Sequence, residues 1–353
     1  MEDKCNSNIE KLVHEKYEIE HLGKKFSTIH FEKNFTDEQC EEIRNNFFNS
    51  CSKKEVLNQM KKLKNNGSNV SKAYYHYFYP VSAECILKDC KWSIKQFLES
   101  NDLIRFAIGK TRSFPKIYQS ESDIENIKIL FRLSPSGTAA KLSNYPYSSA
   151  KDIVMKYNKN GHYYDFSCGW GVRMLASLSS EVCYYGTDPN NKLVQKLNEC
   201  GNDFMSLKSA TLSFLDNKET KFDIKCHGSE NFVAEWENKM GLCFSSPPYF
   251  DLEDYVNGEN QSIKNFSNYD DWLNKYWRTT VKNCKKYLVE NGNFLVNIKN
   301  IKNYNLFDDC LEICKQEGFK HIENIDLKNI NRIFLKQNEK NTDELIMVLK
   351  NER

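Results

Sequence analysis

The 353-residue sequence lacks the patterns of secreted, membrane-spanning and polycationic proteins. No apolar stretch follows the polar N-terminus MEDKCNSNIEKLVHEK, and no run approaches the roughly 18 apolar residues of a membrane helix. The formal net charge is only +2, so a histone-like polycation is excluded and any nucleic acid would meet a local basic surface. We therefore expect a cytoplasmic globular protein with one large domain and one smaller domain.

The sequence has no Cys-x-x-Cys pair, although it contains 13 cysteines. The most closely spaced two, Cys310 and Cys314, lie within an amphipathic helix pattern. Structural zinc sites usually require close pairs of Cys or His ligands. No metal site is therefore expected, and free buried thiols in a reducing cytoplasm account for the cysteines.

Residues 1–125 are predicted to form a mainly helical N-terminal region. Thr36 and Gln39 have the spacing of a capping box at the start of a helix. A basic and aromatic stretch runs from Lys53 to Tyr79. It is a candidate DNA or partner surface, and a solvated helix followed by a core strand explains it equally well. The polar segment SFPKIYQSESDIEN, around 113–126, is the predicted domain boundary.

Residues 126–353 alternate short apolar runs with helical patterns, which is typical of a layered α/β domain. The predicted strands are HYYDFSC, VCYYGTD, FDIKCHG, GLCFSS, NFLVNIK and ELIMVLK. The helix YDDWLNKYWRTTVKNCKKYLVENG is predicted to end at Gly292. A strand pair is expected to close the sheet at the end of the chain.

Acidic and polar residues follow three successive predicted strands. Asp165 ends the first, before a turn that contains Gly169 and Gly171, and Asp188 ends the second. The third strand is followed by HGSENF. Glycines at a strand-to-helix turn let the backbone approach a ligand, and an acidic residue at the next strand end suits the two hydroxyls of a ribose. The pattern indicates an adenosine pocket, although Gly-x-Gly alone is also common for steric reasons.

Prolines are scarce, with seven in the chain, yet two stand side by side in FSSPPYF. Proline removes a backbone donor and stiffens the turn, so the carbonyls of Ser246 and Pro247 can be held outward as hydrogen-bond acceptors. Such acceptors suit an amino group, and Tyr249 offers a ring on which a planar base can stack. This turn is predicted to hold an amino group against the cofactor.

Over about residues 130 to 350 the chain resembles the S-adenosylmethionine-dependent DNA amino-methyltransferases. DFSCGWG is similar to the cofactor-binding motif of that family, SSPPY to its catalytic (Asp/Asn/Ser)-Pro-Pro-(Tyr/Phe) motif, and RLSPSGTAAKL to the helix over the methionine end of the cofactor. The resemblance implies a Rossmann-like, seven-stranded sheet flanked by helices, and methyl transfer to the amino nitrogen of adenine or cytosine. The serine of SSPPY favours the cytosine-type members. The residues implied are, for catalysis, Ser246, Pro247, Pro248 and Tyr249, and, for S-adenosylmethionine, Thr138, Asp165, Ser167, Gly169, Gly171, Asp188, Ser229 and Glu230.

The resemblance also implies double-stranded DNA as the partner, with the target base flipped out of the duplex. Only about 20 residues separate Tyr249 from the helix at Asp270, which leaves no room there for a long target-recognition insert. Sequence specificity would then lie in residues 1–120, in the loop DLEDYVNGENQSIKNFSNY or in a partner protein. No cysteine adjoins the prolines, so the thiolate mechanism of carbon-5 cytosine methylation is disfavoured.

Two alternatives remain at this point. Related proline-proline turns also hold guanine amino groups in RNA and glutamine amides in proteins. A non-catalytic regulatory subunit with the same fold is the other alternative. For a DNA methyltransferase, the roles consistent with the sequence are restriction-modification, phage defence and viral self-marking.

Overall fold

The computed structural model describes residues 15–49, 51–64, 67–87, 90–133, 138–139, 141–142, 144–209, 220–248, 250, 253–254, 266, 268–298, 300, 304–326 and 345–352. The chain divides into two compact units. The first comprises residues 1–47 and 89–140, and the second comprises residues 48–88 and 141–353. This division differs from the predicted boundary near residue 125, because residues 48–88 group with the second half of the chain.

The described strands are, in chain order, β1 (Tyr17–His21), β2 (Lys24–Thr28), β3 (Ile86–Leu87), β4 (His162–Asp165), β5 (Cys183–Thr187), β6 (Phe222–Lys225), β7 (Met240–Ser245), β8 (Glu253–Asp254), β9 (Leu288–Ile298), β10 (Lys320–Asp326) and β11 (Leu345–Lys350). The described α-helices are α1 (Asp37–Asn46), α2 (Lys53–Lys64), α3 (Ser71–Ala73), α4 (Tyr79–Ser82), α5 (Ile94–Leu98), α6 (Asn101–Ser113), α7 (Asp123–Leu133), α8 (Tyr147–Tyr157), α9 (Val172–Ser179), α10 (Asn191–Ser209), α11 (Tyr269–Asp271), α12 (Arg278–Tyr287) and α13 (Leu306–Gln316). Two π-helical segments, Tyr74–Phe78 and Trp272–Trp277, continue α3 into α4 and α11 into α12, and Ala234–Trp236 is a 3₁₀ turn.

The first unit contains an antiparallel hairpin of β1 and β2 in addition to the predicted helices. The predicted capping box is present, because the Thr36 side chain accepts from the backbone of Gln39 and the Gln39 side chain accepts from the backbone of Thr36. Phe131 of α7 packs edge-on against Phe97 of α5, with ring centroids 5.0 Å apart. Buried aromatic rings therefore hold these helices together.

The second unit is built on a seven-stranded sheet in the order β10-β11-β9-β7-β4-β5-β6. Strands β4, β5, β6, β7 and β9 are joined by parallel pairings, whereas β11 runs antiparallel to both β9 and β10. The predicted α/β class, the seven strands with flanking helices and the closing strand pair are confirmed. Parallel strands buried on both faces are rich in apolar residues, as in β7, where all six residues are buried.

Three local predictions differ from the structure. The long helix ends at Tyr287 rather than Gly292, and β9 starts at Leu288. Leu288 pairs with Met240 of β7 and Asn293 pairs with Leu242, with a shift in register between them. Tertiary strand pairing therefore overrides the local helical pattern of 288–292. In addition, β10 was not predicted.

Within the basic and aromatic stretch, residues 53–64 and 71–79 are helical, so the core-strand interpretation is wrong for its second part. Its aromatic residues Tyr74, Tyr77 and Tyr79 are nonetheless buried, and Lys53 forms an ion pair with Asp203. The Tyr77 hydroxyl donates to the same Asp203 carboxylate at 2.5 Å. These aromatic rings belong to the core, and a DNA surface on the exposed lysines stays a prediction.

No helix within the described ranges combines the length and the apolar character that crossing a membrane requires.

Candidate functional site

The candidate site lies where the order of strands reverses. The chain passes from β4 to β5 and β6 on one side, and returns to β7 on the other side of β4. Tyr163 of β4 pairs with Leu242 of β7, and Tyr164 pairs with Cys243. The carboxyl ends of β4 and β7 are therefore neighbours, at the switch point where open α/β sheets bind their ligands. Asp165 and the Ser-Pro-Pro turn, predicted from separate motifs, meet at this edge.

The loop after β4 depends on two glycines in the left-handed region of backbone conformation. Gly169 has a φ of +56° and Gly171, the N-cap of α9, has a φ of +71°. A Cβ on Gly171 would also lie 2.6 Å from Cε2 of Phe78. Gly171 is therefore required both by its backbone angle and by the close approach of an aromatic ring. The neighbouring Ser167 is half-buried, and its hydroxyl donates to the carbonyl of Phe166 at 2.7 Å.

Asp165 is fully buried and its carboxylate is satisfied within the protein. Oδ2 accepts from Arg173 Nε at 2.9 Å and from the Tyr184 hydroxyl at 3.0 Å. Oδ1 accepts from Arg173 Nη2 at 3.1 Å and from the backbone N–H of Ser167 at 3.3 Å. These four donors match the roughly four lone-pair positions of a carboxylate. Asp165 therefore holds the loop in place, which makes any effect on a ligand indirect.

Arg173, which the sequence interpretation missed, connects the two motifs. It is only 7% exposed, and its Nη2 donates to the carbonyl of Ser167 and, at 3.1 Å, to the hydroxyl of Ser245. The guanidinium also lies over the ring of Tyr145, with its carbon 5.7 Å from the ring centroid. The sequence feature that could have identified Arg173 is its position as the single charged residue in the otherwise uncharged helix GVRMLASLSS.

Asp188 follows the end of β5 and is only partly buried. Its Oδ1 accepts from the backbone N–H of Asn190 at 3.0 Å. Burial raises the pKa of Asp188 to about 6, against the effect of hydrogen bonds from the backbones of Asn190 and Gly169. The side chain is thus ionised at neutral pH and accessible at a strand end, as a ribose-binding carboxylate must be.

The turn after β6 contains Ser229 and Glu230. Ser229 is buried, and its hydroxyl lies 2.8 Å from Thr280 Oγ1 and 3.4 Å from the Tyr276 hydroxyl. Asn283 Nδ2 donates to the carbonyls of Ser229 at 2.9 Å and of Glu230 at 3.0 Å. The Ser229 side chain therefore fixes this turn to the helical segment that contains Tyr276 and Thr280. The half-buried Glu230 is the more accessible of the two predicted residues.

The turn after β7 is fixed by a second residue that the sequence interpretation missed. Asn297, near the end of β9, donates from Nδ2 to Ser246 Oγ at 2.9 Å. Pro247 is buried and Pro248 is half-buried. A serine hydroxyl has two lone pairs and one proton, so Asn297 leaves one lone pair and the proton for a substrate. Tyr249, the last residue of the predicted catalytic motif, lies outside the described residues.

Thr138 belongs to the first unit, whereas the other predicted site residues belong to the second. It is buried, and its carbonyl accepts from the backbone N–H groups of Lys91 at 2.8 Å and Trp92 at 2.9 Å. Its predicted contact with the methionine end of the cofactor stays a prediction.

Across the described part of the chain, no group of three or more His, Cys, Asp or Glu side chains could hold a metal ion. The 12 cysteines in that part are free thiols.

No protein-family model matches this chain, and no curated protein matches it. Solved structures similar to part of it include a TehB-like SAM-dependent methyltransferase from Corynebacterium glutamicum, at 12% identity, 90% coverage of that chain and a TM-score of 0.38. A SAM-dependent O-methyltransferase from Thermotoga maritima is 11% identical, with 68% of its own chain covered and a TM-score of 0.39. The N-methyltransferase NodS from Bradyrhizobium japonicum has 10% identity, 100% coverage and a TM-score of 0.36. Each of these similarities covers 60% of this chain.

Proposed function

We propose that this protein transfers a methyl group from S-adenosylmethionine to the exocyclic amino group of adenine or cytosine in double-stranded DNA. One observation carries the proposal. The glycine loop 169–171 and the Ser246-Pro247-Pro248 turn stand side by side at the switch point of the sheet. A loop suited to a nucleoside cofactor and a turn suited to an amino group are thereby brought to one edge.

The residues after β4 and β5 fit S-adenosylmethionine. Ionised Asp188 can accept from both ribose hydroxyls in charge-assisted hydrogen bonds. Gly169, whose backbone donates to Asp188, leaves the loop without a side chain next to that carboxylate. We infer that Glu230, half-buried at the third strand end, meets the adenine ring. Asp165 contributes by holding the loop through Arg173.

When bound, S-adenosylmethionine supplies an electrophilic methyl group on a positively charged sulfur. The protein has to orient the amino nitrogen of the target base. The free lone pair of Ser246 Oγ and the carbonyl of Pro247 can each accept one N–H of that amino group. Two fixed acceptors aim the nitrogen lone pair, and Asn297 holds the Ser246 hydroxyl in place before the base arrives. The rate gain comes from this orientation and from fixed local dipoles.

The test is methyl transfer from labelled S-adenosylmethionine to unmethylated duplex DNA, followed by mass spectrometry of the nucleosides. We expect N6-methyladenine or N4-methylcytosine from the wild type, and at least a tenfold lower rate from Ser246→Ala. Ser206→Ala is the matched control, because Ser206 is exposed on α10 and its hydroxyl donates to the carbonyl of Asn202 in the same helix. Equal rates for the two variants would contradict the role of Ser246.

The same preparation separates the alternatives. Unmethylated DNA, RNA and a glutamine-containing peptide are offered in competition for the labelled methyl group. Label in RNA or peptide alone would replace DNA by that substrate class. Calorimetry that detects no binding of S-adenosylmethionine would favour a non-catalytic subunit.

A further inference from the structure

The ion pair between Arg173 and Asp165 does more than neutralise a buried carboxylate. Nε and Nη2 of Arg173 bind Asp165 at 2.9 and 3.1 Å. The same Nη2 reaches the Ser167 carbonyl in the loop 166–171, the cofactor loop of the proposed function, and the Ser245 hydroxyl, at 3.1 Å, at the end of β7. One planar guanidinium thus contacts the end of β4, the loop that follows it and the end of β7.

Ser245 completes this connection. It is fully buried, and its hydroxyl donates to the carbonyl of Ser167 at 3.1 Å while it accepts from Arg173. The hydroxyl also lies 3.4 Å from the carbonyl of Ser246. The two motifs are therefore joined by side-chain hydrogen bonds as well as by the sheet.

A lysine at position 173 could also neutralise Asp165. An ammonium group is a compact point charge, however, whereas the guanidinium presents its donors in a rigid planar fork. The fork holds Asp165 through Nε and Nη2, and the two N–H groups of Nη2 are shared among Asp165, Ser167 and Ser245. The geometry therefore uses the property that distinguishes arginine from lysine.

We propose that Arg173 is a positioning residue for methyl transfer, which acts through Ser245 to fix the spacing between the cofactor loop and the Ser246-Pro247-Pro248 turn. The inference rests on the proposed function of those two motifs. Reaction between two bound groups is sensitive to spacing, and a displacement of about 1 Å costs roughly a hundredfold in rate. Loosening the link should therefore affect the chemical step far more than the binding of the cofactor.

The experiment compares Ser245→Ala with Ser177→Ala. Ser177 is an equally buried serine on α9, and its hydroxyl donates to the carbonyl of Val182 at 3.0 Å, away from both motifs. Ser245→Ala loses two buried hydrogen bonds and Ser177→Ala loses one, so Ser245→Ala should lose somewhat more thermal stability. We expect cofactor affinity within about twofold of wild type for both, and a single-turnover rate about tenfold or more lower for Ser245→Ala alone.

Arg173→Lys and the double variant Arg173→Lys/Ser245→Ala extend the test. If both residues act through one link, the double variant should be no slower than Arg173→Lys. Should Arg173→Lys fail to fold, the comparison of Ser245→Ala with Ser177→Ala still decides. Equal single-turnover rates for those two variants, beside an active wild type, would overturn this inference alone. A wild type that binds the cofactor but transfers no label to DNA would overturn the proposed function and this inference with it.

Discussion

The charge state of Asp188 predicts a measurable pH dependence for cofactor binding at the proposed site. Burial raises the pKa of this carboxyl from 3.8 to about 6, against the effect of hydrogen bonds from the backbones of Asn190 and Gly169. Only the ionised form accepts from both ribose hydroxyls at full strength. The affinity for S-adenosylmethionine should therefore be constant above about pH 7 and fall as the pH drops through 6.

The size of the effect follows from that pKa. At pH 5, one unit below it, about one tenth of Asp188 is ionised, so the affinity should be about tenfold lower than at pH 8. Asp188→Asn keeps the shape but accepts more weakly from the two hydroxyls. Its affinity should be about tenfold or more below wild type at pH 8, and it should not change further between pH 8 and pH 5.

Isothermal titration with S-adenosylmethionine from pH 5 to pH 8 measures both curves. Asp152→Asn is the matched control, because Asp152 is exposed on α8, and any pH dependence of the cofactor itself would appear equally in all three proteins. The reasoning is refuted if Asp188→Asn loses affinity in parallel with wild type as the pH falls, or binds as tightly as wild type at pH 8.

The raised pKa of Asp188 also predicts how the stability of the ligand-free protein depends on pH. Stability should fall as the pH rises, whereas cofactor affinity should rise. Because the folded-state pKa of Asp188 is raised, its contribution to stability is fully present below pH 3.8 and is lost as the pH rises through 6. At pH 8, the free energy of unfolding of Asp188→Asn should therefore exceed that of wild type by up to about 3 kcal/mol. The variant should accordingly unfold at a higher temperature. The two proteins should converge near pH 4, as thermal melts without cofactor would show.

Three further variants test other parts of the site. Gly171→Ala should lose about 1–3 kcal/mol of stability in denaturant unfolding, from its positive φ and its contact with Phe78. If the backbone angle dominates, Gly171→Ala should cost the same in a Phe78→Ala background. Asn297→Ala should slow single-turnover methylation about 2- to 10-fold, because it releases the Ser246 hydroxyl. A change in cofactor affinity with an unchanged rate would contradict the role of Asn297 in orienting Ser246. Tyr249→Ala should retain cofactor binding and lose turnover, since base stacking contributes about 1–3 kcal/mol; lost cofactor binding would refute that assignment.

Much of the fold could be predicted because its elements carry local signals. The strands of the sheet are short apolar runs, and the capping box at Thr36 marks the start of α1. The predictions failed where distant segments decide the local structure. β9 starts at Leu288 because this residue pairs with Met240, almost 50 residues earlier. The approach of Phe78 to Gly171 is likewise invisible in the order of residues.

The positions of the candidate site could also be predicted, because the ends of parallel strands share one edge of the sheet. The partners of those residues could not. Ser229 and Asp165 have types that suit ligand binding, yet their side chains are occupied by Thr280 and Arg173. Whether a polar side chain is available depends on three-dimensional neighbours, for which residue type and spacing give no signal.

Two aspartates show how this distinction decides function. Asp165 and Asp188 end adjacent parallel strands and look equivalent in sequence. Arg173 is the second residue of α9, directly after the loop that follows Asp165, and its guanidinium pairs with the first carboxylate, which thereby holds the loop in place. Among the described residues, Asp188 accepts from backbone donors and pairs with no side-chain cation, and its pKa is raised. A carboxylate that the fold leaves incompletely stabilised gains most from a ligand with two hydroxyl donors. The difference in partners therefore supports the proposal that Asp188 binds the cofactor, while Asp165 holds the loop.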